Sequence, residues 1–239
     1  MRDDPRRILT LSTSTVFGGG YLDYAEADVR AFLGDVKRVL FVPYALHDRD
    51  GYAEKVRGRF AKWGYELDSI HDASDARDAV LAAEAIFVGG GNTFRLLKTL
   101  YERDLLSLIR ERVRSGMPYM GSSAGSNIAG PTIKTTNDMP IVQPPSFDAL
   151  GLVAFQLNPH FIDAVPDSKH MGETREERIA QFLEENDTPV LGLREGAIVR
   201  VEDGVAELRG AAGARLFRRG EDASELSDGT NIAGFLPPL

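Results

Sequence analysis

Short apolar runs alternate along the first half of the chain with segments of helical period. The runs predicted as strands lie at residues 7–12, 36–43, 65–70 and 85–88. Between them apolar side chains recur every three or four residues, as at Tyr52, Val56, Phe60 and Trp63. A short continuous apolar run is typical of a buried parallel strand, whereas the longer spacing gives a helix one apolar face.

This alternation predicts an α/β fold with a doubly wound, mostly parallel sheet flanked by helices. Residues 197–218 indicate three short strands with turns at 203–204 and 210–213, which we expect to form a C-terminal antiparallel edge. No repeat or linker interrupts the chain, so we expect residues 1–239 to form a single α/β domain. Since ligands bind at the carboxyl ends of parallel strands, useful residues should directly follow the apolar runs.

The composition of the chain excludes several kinds of site and partner. The chain has no cysteine, which excludes disulfides, thiolate metal ligands and a cysteine nucleophile. A net charge of −8 disfavours general nucleic-acid binding, which needs a basic face. No apolar run approaches the roughly 18 residues that span a membrane, and no long apolar core follows the charged N-terminus. We therefore expect a cytoplasmic protein without a membrane or nucleic-acid partner.

The strongest chemical signal is a nucleophile motif. Residues 121–125 read Gly-Ser-Ser-Ala-Gly after a short apolar run, which fits G-x-S-x-G with Ser123 at its centre. In that pattern a strand turns sharply into a helix and leaves the serine hydroxyl clear of the backbone. The next N–H, on Ala124, then lies at a helix start, where it can stabilise a developing oxyanion.

A second turn is rich in glycine. Residues 89–93 read Gly-Gly-Gly-Asn-Thr between a predicted strand and a predicted helix. Glycines let the backbone approach a ligand closely, and their N–H groups could supply oxyanion donors or hold a phosphate. The segment is not a P-loop, because no Gly-Lys-Ser/Thr follows at the required spacing.

A serine nucleophile needs a base, and the base needs an orienting carboxylate. Of the four histidines, His160 directly follows a strand predicted near residues 153–157, whereas His47 and His71 lie in charged early segments and His170 in a polar loop. Glu195 lies just after another predicted strand, at residues 189–193. Pairing His160 with Asp138 instead would restore the serine–acid–histidine order of α/β-hydrolases. The residues alone leave both carboxylates open.

Six blocks together resemble the peptidase E, or alpha-aspartyl dipeptidase, family over about residues 9–216. They read GGGNTF at 89–94, GSSAG at 121–125, TTNDMPI at 135–141, NPHF at 158–161, GETRE at 172–176 and EG at 195–196. The resemblance implies a flavodoxin-like fold akin to the class I glutamine amidotransferases. It also implies hydrolysis of dipeptides that begin with aspartate, without a metal or cofactor.

Carried over by position, the resemblance makes Ser123 the nucleophile, His160 the base and Glu195 the orienting acid. Gly91 and Ala124 would supply the oxyanion N–H groups. This chain departs from the family at Ser122, where tryptophan is frequent, and at Ser126, where alanine is usual.

An N-terminal aspartate presents a carboxylate and a free amine. An arginine fork suits the carboxylate, and Arg175, at a predicted helix start, is the first candidate. The other candidate cations are Lys134, His170 and Arg178. Asp138, with Asn137 beside it, is the candidate acceptor for the amine. The expected partner is thus a small peptide with an N-terminal aspartate, bound by a monomer or homodimer.

Three other functions compete with this one. A cyanophycinase-like enzyme on the same scaffold would cut β-aspartyl peptides, and an α/β-hydrolase would cut esters. A binding or sensor module could keep the fold without catalysis.

Overall fold

Two β-sheets organise the protein, whose computed structural model describes residues 4–164 and 171–235. The strands of the large sheet are β1 (Ile8–Leu11), β2 (Arg38–Val42), β3 (Glu66–Ser69), β4 (Ala85–Val88), β5 (Tyr119–Ser122), β8 (Ile198–Glu202) and β9 (Val205–Arg209). The small sheet contains β6 (Gln156–Asn158), β7 (Val190–Leu193), β10 (Ala214–Phe217) and β11 (Ser224–Leu226).

The large sheet has the order β3-β2-β4-β5-β1-β8-β9. Its first five strands run parallel, and β8 and β9 add antiparallel pairs at the β1 edge. The doubly wound, mostly parallel sheet with an antiparallel edge is therefore confirmed. In this order β5 lies between β4 and β1, so the ends of these three strands are neighbours.

Helices cover both faces of the large sheet, and the last α-helix packs on the small sheet in a cluster with Val190 and Phe217. They are α1 (Glu26–Leu33), α2 (Arg49–Lys62), α3 (Ala76–Ala82), α4 (Thr93–Glu102), α5 (Leu106–Arg114), α6 (Ala124–Asn127) and α7 (Arg175–Glu185), with short 3-10 helices at Asp23–Ala25 and Ala233–Phe235. One apolar cluster packs α4 and α5 against the sheet, and another packs α1 and α2 on the opposite face. In the second cluster the Phe60 and Phe87 rings stack with centroids 5.6 Å apart. Among the described residues, no helix combines the length and apolar character that crossing a bilayer requires.

Side-chain caps begin several of these helices. Asp48, Asp75 and Asn92 each accept a hydrogen bond from a backbone N–H in the first turn. Thr174 and Glu177 form a capping box at the start of α7. The cap places Arg175 in the first turn of that helix.

The small sheet is not predicted from the sequence. Its order is β11-β10-β7-β6, with β6 and β7 parallel. The expected third C-terminal strand is present as β10, but it pairs with β7 and not with β9. An apolar run shows that a strand is buried, and it does not show which sheet contains it. Parallel pairing of β6 and β7 brings their carboxyl ends together beside the large sheet.

Candidate active site

Ser123 lies on a sharp turn between β5 and α6. Its φ of +53° is unusual for a residue with a side chain, and its N–H donates to the Leu11 carbonyl over 3.0 Å. The flanking glycines are sterically required, because a Cβ on Gly121 would overlap the Gly125 carbonyl and one on Gly125 would overlap Val88. The predicted strand–turn–helix therefore exists, and the Ser123 side chain is partly exposed.

Ser123, His160 and Glu195 form one hydrogen-bonded chain. The Ser123 Oγ is 3.0 Å from Nε2 of His160, and Nδ1 of His160 is 2.8 Å from Oε1 of Glu195. His160 follows β6 and Glu195 follows β7, so the small sheet carries both of these residues. The His160 side chain is 38% exposed, which leaves the imidazole accessible to a bound peptide.

The neighbouring Arg194 does not pair with Glu195. Its guanidinium binds Asp163, with Nε 2.6 Å from Oδ2, and also binds Glu225. Hydrogen bonding to Arg194 lowers the pKa of both Asp163 and Glu225. Glu195 is thus left to the imidazole, although an arginine precedes it in the chain.

Asp138 and Asn137 engage other groups. Oδ2 of Asp138 accepts from the Thr93 N–H at 2.7 Å and from the Thr93 hydroxyl at 2.6 Å, which caps α4. The Asn137 amide donates to the Pro159 carbonyl and accepts from Asn158, at 2.8 and 2.9 Å. The structure therefore pairs His160 with Glu195, while Asn137 holds the segment that leads into His160.

The glycine turn lies directly against Ser123. A Cβ on Gly90 would be 3.0 Å from that of Ser123, and the Gly90 N–H donates to the Tyr52 hydroxyl over 2.9 Å. Gly91 follows with φ +134°, and a Cβ there would be 2.7 Å from the Ala45 carbonyl oxygen, so only glycine fits. The Ala124 N–H is the first of α6 and has no acceptor within the helix.

Two neighbours of Ser123 that depart from the family pattern are buried. The Ser126 hydroxyl donates to backbone carbonyls at the ends of β1 and β5, with the oxygens of Leu11 and Gly121 at 2.7 and 2.8 Å. Ser122 is fully buried, and its hydroxyl has no hydrogen-bond partner among the described residues. Neither hydroxyl is therefore exposed to a ligand.

The candidate cations differ in their partners. Arg175 is half-buried and makes no ion pair within residues 4–164 and 171–235. Burial and then the nearby Arg178 lower its pKa, while the charge of Asp138 opposes them. Arg178 pairs with Glu173 at 3.6 Å. Arg175 is thus a cation that interacts electrostatically with Asp138 and has no ion pair within the described part of the chain.

The other two cation candidates lie elsewhere. Lys134 Nζ is 3.4 Å from Oδ1 of Asn186, the residue that ends α7 at the end opposite Arg175. His170 lies outside the described residues. Within the described residues, a group of His and acidic side chains that could hold a metal ion comprises Asp50, His71 and Asp72, after β3 and at the start of α2.

Two further residues contribute to this geometry and could not be predicted from the sequence. Tyr52, read only as part of a helix stripe, orients Gly90 through its hydroxyl. Ser12, at the end of β1, accepts a hydrogen bond from the His160 N–H at 3.0 Å. Each acts across a long stretch of chain, and no local pattern marks such a contact.

Comparison with known proteins adds the family. Residues 8–209 match the profile of peptidase family S51. A protein named peptidase E from Streptomyces coelicolor is 53% identical over 229 residues, covering 96% of this chain and 94% of its own. A probable alpha-aspartyl dipeptidase from Drosophila melanogaster is 49% identical over 225 residues, covering 93% and 94%.

Solved structures agree on the fold. A peptidase from an acI-B1 actinobacterium superposes with a TM-score of 0.70 at 19% identity, covering 95% of this chain and 96% of its own. A putative peptidase E from Listeria monocytogenes gives 0.62 at 20% identity, covering 93% and 98%. At such low identities the structural similarity supports the fold alone. The sequence relatives confirm the resemblance to the peptidase E family. The chain belongs to peptidase family S51.

Proposed function

We propose that the protein is a serine dipeptidase that removes an N-terminal aspartate from Asp-X dipeptides through an acyl-enzyme. The observation that carries the proposal is the continuous hydrogen-bond chain from Glu195 through His160 to Ser123, at a turn that exposes the serine. Sequence relatives named peptidase E and alpha-aspartyl dipeptidase support the same activity.

The chemistry follows from the positions of the three side chains. Oγ of Ser123 attacks the peptide carbonyl carbon while Nε2 of His160 takes its proton, and Glu195 stabilises the imidazolium through Nδ1. The carbonyl oxygen becomes an oxyanion facing the N–H groups of Gly91 and Ala124, and one such donor typically contributes about 10²–10³ in rate. His160 then protonates the leaving amine, and the C–N bond breaks. Water attacks the acyl-serine by the same route and releases aspartate.

Selection of aspartate would use two opposite charges that interact electrostatically in the structure, those of Arg175 and Asp138. An N-terminal aspartate carries an ammonium and a carboxylate on one residue. Arg175, half-buried and without an ion pair in the described part of the chain, fits the carboxylate. Asp138, whose charge acts on Arg175, uses Oδ2 for Thr93 and fits the ammonium with its second oxygen. Arg178, Lys134 and His170 remain further candidates, of which Arg178 and Lys134 already contact Glu173 and Asn186.

A panel of dipeptides tests the proposal. Asp-Leu, Asn-Leu, Ala-Leu and the isomer β-Asp-Leu are assayed with the wild type, Arg175→Gln and the matched control Arg178→Gln. A site that buries a charged partner rejects a substrate lacking it by about 10⁴. We expect Asp-Leu to exceed Ala-Leu by that order, and only Arg175→Gln to remove the preference. Equal rates on Asp-Leu and Ala-Leu would contradict the proposal, and preference for β-Asp-Leu would favour a β-aspartyl peptidase.

A further inference from the structure

The carboxyl end of β1 lies between the two halves of the candidate site. β1 pairs with β5, which leads to Ser123, and on its other side with β8. The carbonyl of Leu11, its last residue, accepts the Ser123 N–H at 3.0 Å and the Ser126 hydroxyl at 2.7 Å. Leu11 therefore fixes the turn that carries the nucleophile.

The next residue, Ser12, holds the other half of the site. Its side chain is fully buried, and its hydroxyl donates to the Leu193 carbonyl at 2.8 Å. The same oxygen accepts the His160 N–H at 3.0 Å. Leu193 ends β7, two residues before Glu195, so one hydroxyl joins the backbones that carry the imidazole and the carboxylate. The Ser12 N–H adds a bond to the Ala197 carbonyl, also 3.0 Å.

The bond to His160 restrains an unusual conformation. His160 has φ +55°, in the left-handed region that residues with a side chain rarely occupy. Such a conformation persists only where the surroundings enforce it. Without the Ser12 hydroxyl, the His160 N–H loses its acceptor and the backbone can relax to negative φ. The ring would then leave the position that places Nε2 within 3.0 Å of Ser123.

We propose that Ser12 is a positioning residue that fixes His160 and Glu195 against Ser123, an inference that rests on the proposed function. Ser12 is buried and acts through the main chain on both sides of the site. It differs from Ser126, whose hydroxyl bonds the carbonyls of Leu11 and Gly121 and neither of the segments that carry His160 and Glu195.

The chain offers a matched control on the same strand. Thr10 is also buried, and its hydroxyl has no hydrogen-bond partner among the described residues. Thr10→Val therefore removes a buried β1 hydroxyl without removing a bond. Ser12→Ala removes the hydroxyl that bonds His160 and Leu193, and Ser12→Thr keeps a hydroxyl at that position.

Kinetics on Asp-Leu, with denaturant unfolding of each variant, tests the inference. We expect Ser12→Ala to lower kcat by about 10², the effect of a roughly 1 Å misplacement of a reacting group. KM should stay near the wild-type value, because Arg175 and Asp138 do not contact Ser12. Ser12→Thr should recover most of the loss, and Thr10→Val should leave kcat unchanged. A crystal structure of Ser12→Ala should show His160 with negative φ and Nε2 beyond hydrogen-bond range of Ser123.

Two outcomes would overturn the inference. One is a Ser12→Ala enzyme with wild-type kcat. The other is a loss that follows stability and appears equally in Thr10→Val, because that pattern marks a structural role only. Ser123→Ala in the same assay separates the two proposals. If it turns over Asp-Leu normally, the proposed function fails; if it is inactive while Ser12→Ala is normal, only the positioning role fails.

Discussion

Two serine–histidine–carboxylate clusters can be compared in the described part of the molecule. In one, Ser123 contacts His160 at 3.0 Å and His160 contacts Glu195 at 2.8 Å. In the other, the Ser69 hydroxyl is 2.7 Å from Nδ1 of His71, and Nε2 of His71 is 2.8 Å from Asp50. Both serines lie at the carboxyl end of a parallel strand, so hydrogen-bond distances and sheet position do not distinguish them.

The surroundings of the two serines differ. Ser69 is 3% exposed and is the last residue of a regular strand, after which the next helix, α3, begins only at Ala76. Ser123 has positive φ and is followed at once by the first N–H of α6. A serine therefore becomes a candidate nucleophile through exposure and adjacent oxyanion donors, and a hydrogen-bonded histidine is not enough.

The largest contrast is expected between the two serines themselves. Ser123→Ala should lower kcat on Asp-Leu by at least about 10⁴, the scale seen when a serine nucleophile is removed. Ser69→Ala should leave kcat unchanged, because that hydroxyl is buried away from the candidate site. Steady-state assays on both variants measure this. Comparable losses of kcat in Ser123→Ala and Ser69→Ala would contradict the proposed difference between the two serines.

The carboxylates give the next contrast. Glu195→Gln removes the charge that stabilises the His160 imidazolium, and kcat should fall by about 10²–10⁴. Asp50→Asn is the isosteric control at the other cluster and should leave kcat unchanged in the same assay.

Asp138→Asn should act mainly on KM if Asp138 holds the amine. A larger kcat loss for Asp138→Asn than for Glu195→Gln would shift the orienting role to Asp138.

The glycine turn gives a smaller effect. A methyl group on Gly90 would press on the Ser123 side chain, whose Cβ is 3.0 Å from the added carbon. Gly90→Ala should lower kcat about 10²-fold by displacing the nucleophile. In Gly58→Ala, within the exposed part of α2, the added carbon meets nothing within 4 Å. That control should raise the free energy of unfolding by about 0.5–1 kcal/mol without changing kcat. A wild-type kcat in Gly90→Ala would contradict the prediction, because it would show that the turn can shift to accommodate the added methyl group.

The histidines should separate stability from activity. His71 ties the end of β3 to the start of α2 through Ser69 and Asp50, and its side chain is only 10% exposed. His71→Ala should lower the free energy of unfolding by about 1–2 kcal/mol and leave kcat unchanged below the melting range. His160→Ala should instead lower kcat strongly and leave the free energy of unfolding near the wild-type value. Denaturant unfolding and kinetics on both variants check this. A loss of kcat in His71→Ala with unchanged kcat in His160→Ala would contradict the comparison.

The fold was largely predictable because its signals are local. Apolar runs such as 85–88 and the stripe from Tyr52 to Trp63 contain their periodicity within a few residues. The division into two sheets was not predictable, since it depends on which strand β10 meets after folding. The pairing of β7 with β10 joins segments separated by about twenty residues, and β8 and β9 lie between them in the chain.

The candidate site divides in the same way. Ser123 is marked by five consecutive residues, and His160 and Glu195 are marked by their places after apolar runs. The contacts of Ser12 with His160 and of Tyr52 with Gly90 span 148 and 38 residues, and neither residue stands out in the sequence. The contact of Asp138 with Thr93 spans 45 residues, and no local pattern marks it either.

Covalent labelling identifies the nucleophile directly. The wild-type protein is treated with a fluorophosphonate, digested and mapped by mass spectrometry while residual Asp-Leu hydrolysis is followed. The account predicts a single adduct on Ser123, formed in step with the loss of activity, and none on Ser69. Full inactivation with Ser123 unmodified, or with the adduct on another residue, would contradict it.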